Sequence, residues 1–169
     1  MEPNEQDRYT QAAMTAVLVD NDFHYMHLMS KGEDFDKSHN LAAEYYDKIE
    51  EDVDYLMELA LEVGAPIYNF SVAGNIIPEY EPEDKQGYDY PTLISCLKDK
   101  IQYYTDVLRK LRISVTEDTS IQSKLDDMLR YWEKELFYKL ERRGTSGTTI
   151  GNFVNTGLDE FVSKYFNKR

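Results

Sequence analysis

The sequence predicts an all-α fold. It is a four-helix bundle with one long crossover between the second and third helices, plus a short extra helix at the C-terminus. Two observations carry this. Four segments repeat their apolar residues at steps of three and four, the signature of a helix with one buried face. Their connections run short, long, short. The long one, residues 65–90, is rich in Tyr, Pro, Gly and acids. A loop of that length is unusual in a compact domain, but a bundle with one crossover has a use for it. Residues 1–143 form the bundle, and 144–169 a Gly/Thr linker with a short amphipathic helix.

The first helix runs from about Asn4 to about Ser30. Ala12, Ala16, Val19, Phe23 and Met26 make its apolar stripe, and the small Ala12, Ala13 and Ala16 let a neighbouring helix approach closely. His24 and His27 stand one turn apart and can chelate a metal by themselves; for His24 a packed, hydrogen-bonded ring is the plainer reading. Gly32 suits the turn that follows. The second helix begins near Asp34 or Asp36, either of which can cap it, and carries Leu41, Tyr45, Ile49, Val53, Leu56, Ala60 and Val63. Gly64-Ala65-Pro66 ends it.

The crossover has room for a short helix of its own, and its acidic part (Glu79, Glu81, Glu83, Asp84) reads as solvated. The third helix starts at Pro91, a favourable first helical position, with Leu93, Leu97, Ile101, Tyr104, Leu108 and Leu111 as its stripe. Its bases Lys98, Lys100, Arg109, Lys110 and Arg112 are expected to pair with acidic neighbours and the helix C-terminal dipole. Two capping boxes are available before the fourth helix, Ser114-x-x-Glu117 and Thr119-x-x-Gln122. That helix carries Ile121, Leu125, Met128, Trp132, Leu136 and Leu140 and ends at Arg142-Arg143-Gly144. Beyond a linker over 145–155, Leu158, Phe161, Val162, Tyr165 and Phe166 form a short helix that needs a surface to pack on.

The chemistry concentrates between His27 and Gly64. Asp47, Glu51, Asp54 and Glu58 step by four, three and four along one face of the second helix. His39 lies fifteen residues before Asp54, about 60° away around the helix and about 20 Å along it. One straight helix cannot bring these groups onto one ion. Either the face is a solvated acidic surface, or two such helices pack antiparallel across a two-fold axis, setting His39 of one copy against Asp54 and Glu58 of the other.

The wording of this stretch adds to the spacing. His27, Lys31-Gly32, Phe35, His39, Asp54, Glu58 and Gly64 stand at intervals that resemble the Dps-like mini-ferritins over 38 unbroken residues, 27–64. Trp132-Glu133-Lys134 also fits that family's fourth helix. The resemblance implies a ferritin-like bundle in which His27 and His39 of one subunit, with Asp54 and Glu58 of its two-fold neighbour, bind Fe(II) for oxidation. These four are the implied metal-binding and catalytic residues. It further implies hydrogen peroxide as the common oxidant, a hollow homo-oligomer of twelve chains, and ferric iron stored inside against oxidative stress. Asp47, Glu50 and Glu51 are candidate secondary iron contacts, and Trp132 and the tyrosines candidate radical quenchers. The sequence departs from the family at Ala43, where an acidic residue is common, and at Leu28, where a tryptophan is common. The lost acid weakens iron affinity.

Composition bounds the alternatives. A formal net charge of −13 opposes nucleic-acid binding through phosphate neutralisation, and residues 1–10 hold Arg8 as their one base. A lone Cys96 excludes a disulfide framework and points to a reducing compartment, the cytoplasm. No apolar run approaches the ~20 residues of a membrane span, and the polar, acidic N-terminus does not read as a signal peptide. Glu-x-x-His, the motif of a di-iron site inside a bundle, does not occur: Asn21, His24 and Asp36 stand three residues before the three histidines. Two other classes remain open. One is a non-catalytic bundle that kept the shell without the iron chemistry; the other is an acidic inhibitor imitating DNA.

Overall fold

The computed structural model describes residues 4–144; the predicted 145–169 tail lies outside them. The order is α1 (Glu5–Leu28), α2 (Phe35–Glu62), a 3₁₀ turn (Phe70–Val72), α3 (Ala73–Ile76), α4 (Tyr90–Ser114) and α5 (Thr119–Lys134). A π-helical stretch (Glu135–Leu140) and α6 (Glu141–Gly144) follow. No strand occurs among the described residues; one isolated bridge pairs Ser30 with Tyr88. Through it Lys31 N–H donates to the Tyr88 carbonyl and Tyr88 N–H to the Met29 carbonyl, both at 2.9 Å. This ties the start of α4 to the α1–α2 turn. The crossover therefore traverses the length of the bundle, and α4 runs in the same sense as α2.

Helix α1 is the central member, packing on both α2 and α4. Ala12, Ala13 and Ala16 are fully buried, as close helix approach requires. Helix ends follow local chemistry. Asn4 and Asp7 close α1 with a reciprocal capping box. At the end of α2, Gly64 adopts φ +72; its N–H bonds the Leu61 carbonyl and that of Ala65 the Ala60 carbonyl, a Schellman motif. Asp89 caps α4 ahead of Pro91.

Three expectations change. Neither capping box before α5 is used: Asp118 caps it, its Oδ1 accepting from Ser120 N–H at 2.9 Å and Ile121 N–H at 3.0 Å, while Ser114 still belongs to α4. Asp34 occupies the cap position of α2 without capping it, because its carboxylate pairs with Lys37 at 2.7 Å. Glu83 is not solvated like Glu79, Glu81 and Asp84 but is drawn inward, its carboxylate accepting from the Tyr88 hydroxyl at 2.8 Å and lying 3.7 Å from Lys100.

Four of the five bases of α4 find acids as expected, among them Lys98 with Glu141 at 2.5 Å, Arg109 with Asp106 at 2.8 Å and Arg112 with Asp126 at 2.8 Å, while Lys110 is exposed. Lys100 goes furthest. It is buried, pairs with Asp22 of α1 at 3.0 Å, donates to the Glu81 carbonyl, and sits over the Tyr80 ring. Asp22 also takes the Tyr80 hydroxyl at 2.5 Å and Glu83 N–H at 3.0 Å, so one buried ion pair fastens the crossover to α1 and α4.

Candidate metal centre

The α1–α2 turn brings two histidines together. His27 closes α1 and His39 lies in the second turn of α2; between them Gly32 takes φ +95, a conformation side chains disfavour. The two imidazoles stack with centroids 3.8 Å apart and planes 28° from parallel. Each ring is held by the other residue's backbone: His27 Nδ1 lies 3.1 Å from the His39 carbonyl, and His39 Nδ1 3.0 Å from the His27 carbonyl. A carbonyl only accepts, so each Nδ1 carries the hydrogen. A neutral ring fixed in that way keeps its lone pair on Nε2, the atom a metal takes. Phe35 stacks on His39 at 5.1 Å.

His24, one turn earlier, is exposed rather than packed inside. Its ring lies 6.4 Å from that of His27 and stacks on Tyr46 of α2 at 4.5 Å with planes 15° apart. The Tyr46 hydroxyl donates to Glu50 Oε1 at 2.9 Å.

Asp54 and Glu58 sit one turn apart on the outward face of α2, both exposed. From His39 to Asp54 the helix rises about 22 Å, so within one chain the imidazole pair and the carboxylate pair are separate half-sites. Among the described residues no three His, Cys, Asp or Glu side chains converge as a metal cluster. Of the secondary candidates, Asp47 is exposed, Glu50 holds Tyr46, and Glu51 pairs with Lys48 at 2.8 Å. Ala43 is half-buried.

Sequence reasoning missed the buried carboxylates. Asp52 is 3% exposed and accepts from Trp132 Nε1 at 2.6 Å and the Tyr104 hydroxyl at 3.0 Å, with Lys48 at 3.4 Å. Burial pushes its carboxyl above the ordinary range, against the pull of those donors. Glu135, 2% exposed, accepts from the Tyr45 hydroxyl at 3.0 Å and pairs with Lys139 at 2.7 Å. Phe23, Tyr45, Tyr104 and Tyr131 surround the Trp132 ring at 5.1–6.1 Å between centroids. The space between the four helices is thus filled by aromatic rings, and its carboxylates are engaged by protein donors. A signal was available: Asp22, Asp52 and Lys100 each fall on the apolar stripe of their helix, where a charge must find a buried partner.

A family model described as a ferritin-like domain matches residues 10–138. Comparison with curated protein sequences yields no match. Among solved structures, the Helicobacter cinaedi protein CAIP superposes with a TM-score of 0.75 at 17% identity, covering 84% of this chain and 100% of that one. The antigen TpF1 from Treponema pallidum gives 0.74 at 17%, covering 84% and 92%. A Dps protein from Bacillus brevis gives 0.70 at 21%, covering 84% and 98%. The fold is therefore shared along nearly the whole of each of these proteins. No described helix is long and apolar enough to cross a membrane.

Proposed function

The chain belongs to the ferritin-like domain family, and from that premise we propose that it is a Dps-like protein that oxidises Fe(II) at sites shared between two subunits. His27 and His39 of one subunit bind the ion through Nε2; Asp54 and Glu58 of the two-fold neighbour complete the set. The observation that carries this reading is the reciprocal clamp between His27 and His39, in which each ring gives Nδ1–H to the other residue's carbonyl and, when neutral, keeps its lone pair on Nε2. Imidazole and carboxylate together suit iron and leave positions for an oxidant. The exposed Asp54 and Glu58, too far along α2 to reach their own histidines, supply the other half across a two-fold axis.

The full reading is a cytoplasmic homo-oligomer, a hollow shell of twelve, that uses peroxide as oxidant and stores the ferric product against oxidative stress. The surplus of acids suits cation entry and opposes DNA binding. The deciding experiment is Fe(II) oxidation by hydrogen peroxide in the wild type, His39→Ala and Asp54→Ala. Fast oxidation lost in both variants is the expected result. Wild type no faster than buffer overturns the proposal. It would favour a shell without iron chemistry, for which Ala43, in the place of an acidic residue common among the Dps-like proteins the chain resembles, is the specific argument.

A further inference from the structure

We propose that Leu61 of one subunit seats against Phe35 of a second copy of this chain, so that an apolar contact closes each end of the seam between two α2 helices. The inference rests on the shared-site reading above, which supplies the partner and the register.

Helix α2 turns an acidic face outward: Asp47, Glu50, Glu51, Asp54 and Glu58 are all exposed. Its exposed large apolar side chains stand one at each end. Leu61 is 59% exposed and lies two turns beyond Asp54, about 20° from it around the helix. Phe35 is 43% exposed in the first turn, one turn before His39. Its ring stacks on the His39 ring at 5.1 Å with planes 23° apart, beside the imidazole half-site. A single exposed leucine or phenylalanine is ordinary on a protein surface. The register gives these two a common purpose.

In an antiparallel pair of identical helices, residues that stand level have numbers of constant sum. Setting His39 level with the midpoint of Asp54 and Glu58 of its neighbour fixes that sum at about 95, with the two-fold axis between Asp47 and Lys48. Leu61 then stands level with Asp34 of the neighbour, within one residue, about 1.5 Å, of Phe35. Polar groups alone set this register, and the exposed apolar pair falls into it without adjustment. Symmetry makes the contact twice, at points about 40 Å apart. Between them like charges oppose each other, since Lys48 is held by Glu51 and Asp52 of its own helix. Apolar burial at both ends offsets that repulsion and keeps water from the flank of each site.

The test is cross-linking with a short bifunctional maleimide in Phe35→Cys, Leu61→Cys and the double variant, with iron oxidation by peroxide measured in parallel. Wild type controls for Cys96, which is buried. Positions 35 and 61 of one chain lie about 39 Å apart along α2, too far to bridge, and the like thiols of a single variant are about as distant across the axis. The expected result is a covalent dimer on a denaturing gel from the double variant and from the two single variants refolded together, and monomer from wild type and from each single variant alone. A dimer from Leu61→Cys alone, or a ladder beyond dimer from the double variant, overturns the antiparallel register. Fast iron oxidation in wild type with no dimer from the double variant overturns this proposal alone. A dimer from the double variant with wild-type oxidation no faster than buffer upholds the seam and overturns the iron reading; failure of both overturns both.

Discussion

Trp132 and Asp52, eighty residues apart in sequence, meet in the centre of the bundle, where the indole Nε1–H donates to Asp52 Oδ2 at 2.6 Å. The same oxygen takes the Tyr104 hydroxyl, so one carboxylate joins α2, α4 and α5. Removing it in Asp52→Ala leaves two buried donors without an acceptor and costs about 3 kcal/mol. Asp52→Asn keeps an acceptor oxygen and costs about 1 kcal/mol. Urea midpoints at unchanged slope are the measure, with the exposed Asp54→Ala as reference. An Asp52→Ala midpoint equal to that of Asp54→Ala would mean the network contributes nothing net.

Asp118 is the working cap of α5, satisfying two free N–H groups of the first turn. Asp118→Ala lowers stability by about 1 kcal/mol. Thr119→Ala and Ser114→Ala, which remove the hydroxyls of the two capping boxes, stay within about 0.5 kcal/mol of wild type. Thermal melts of the three variants rank the cap; a larger loss from Thr119→Ala than from Asp118→Ala would reverse the assignment.

Asp20 has a raised carboxyl, 3.8 moved to about 6, chiefly because burial disfavours its charge and secondly because Glu50 repels it. The sign follows. The folded state holds this proton more tightly than the unfolded chain. The resulting stabilisation is fully present below pH 3.8 and is lost as pH rises through about 6. Asp20→Asn mimics the protonated group, so it stabilises the protein near neutrality by about 1–2 kcal/mol once partial exposure is allowed for. The gain over wild type vanishes toward pH 4. Melting curves across that range check it, and a gain independent of pH would sink the explanation.

Much of this fold was legible in the sequence because a bundle helix declares its buried face by period alone. Leu41, Tyr45, Ile49, Leu56 and Ala60 all lie in the core where the stripe put them. The His27–His39 pairing was implied by the resemblance to the Dps-like mini-ferritins, while the mutual carbonyl clamp was not, since backbone acceptors leave no trace in spacing. Glu135 carried the same signal as Asp52: it stands three residues after Trp132 and seven after Met128, beside the apolar stripe of its helix, where a charge needs a buried partner. Within the π-helical stretch Glu135–Leu140, Glu135 and Leu136 are both buried. Asp54 and Glu58 are legible as a pair, but their partner is a second copy, and one chain's sequence carries that relation only as a helix face.

That relation makes the sharpest prediction. If each site takes His27 and His39 from one subunit and Asp54 and Glu58 from the other, His39→Ala and Asp54→Ala damage opposite halves. Each variant assembled alone has no intact site. In a two-fold pair built from one of each, one site combines both defects. The other unites the intact histidines of the Asp54→Ala chain with the intact carboxylates of the His39→Ala chain. Random co-assembly makes half the pairs mixed, with one good site of two in each, so about a quarter of wild-type iron oxidation returns. Unfolding the two variants together and refolding them as a mixture, followed by the peroxide assay, reads this directly. Mixing the folded variants without unfolding restores nothing if the pairs do not exchange. A co-refolded mixture of native mass that stays as inactive as its parents would place all four residues in the service of a single chain. The separation of His39 and Asp54 along α2 argues against that arrangement.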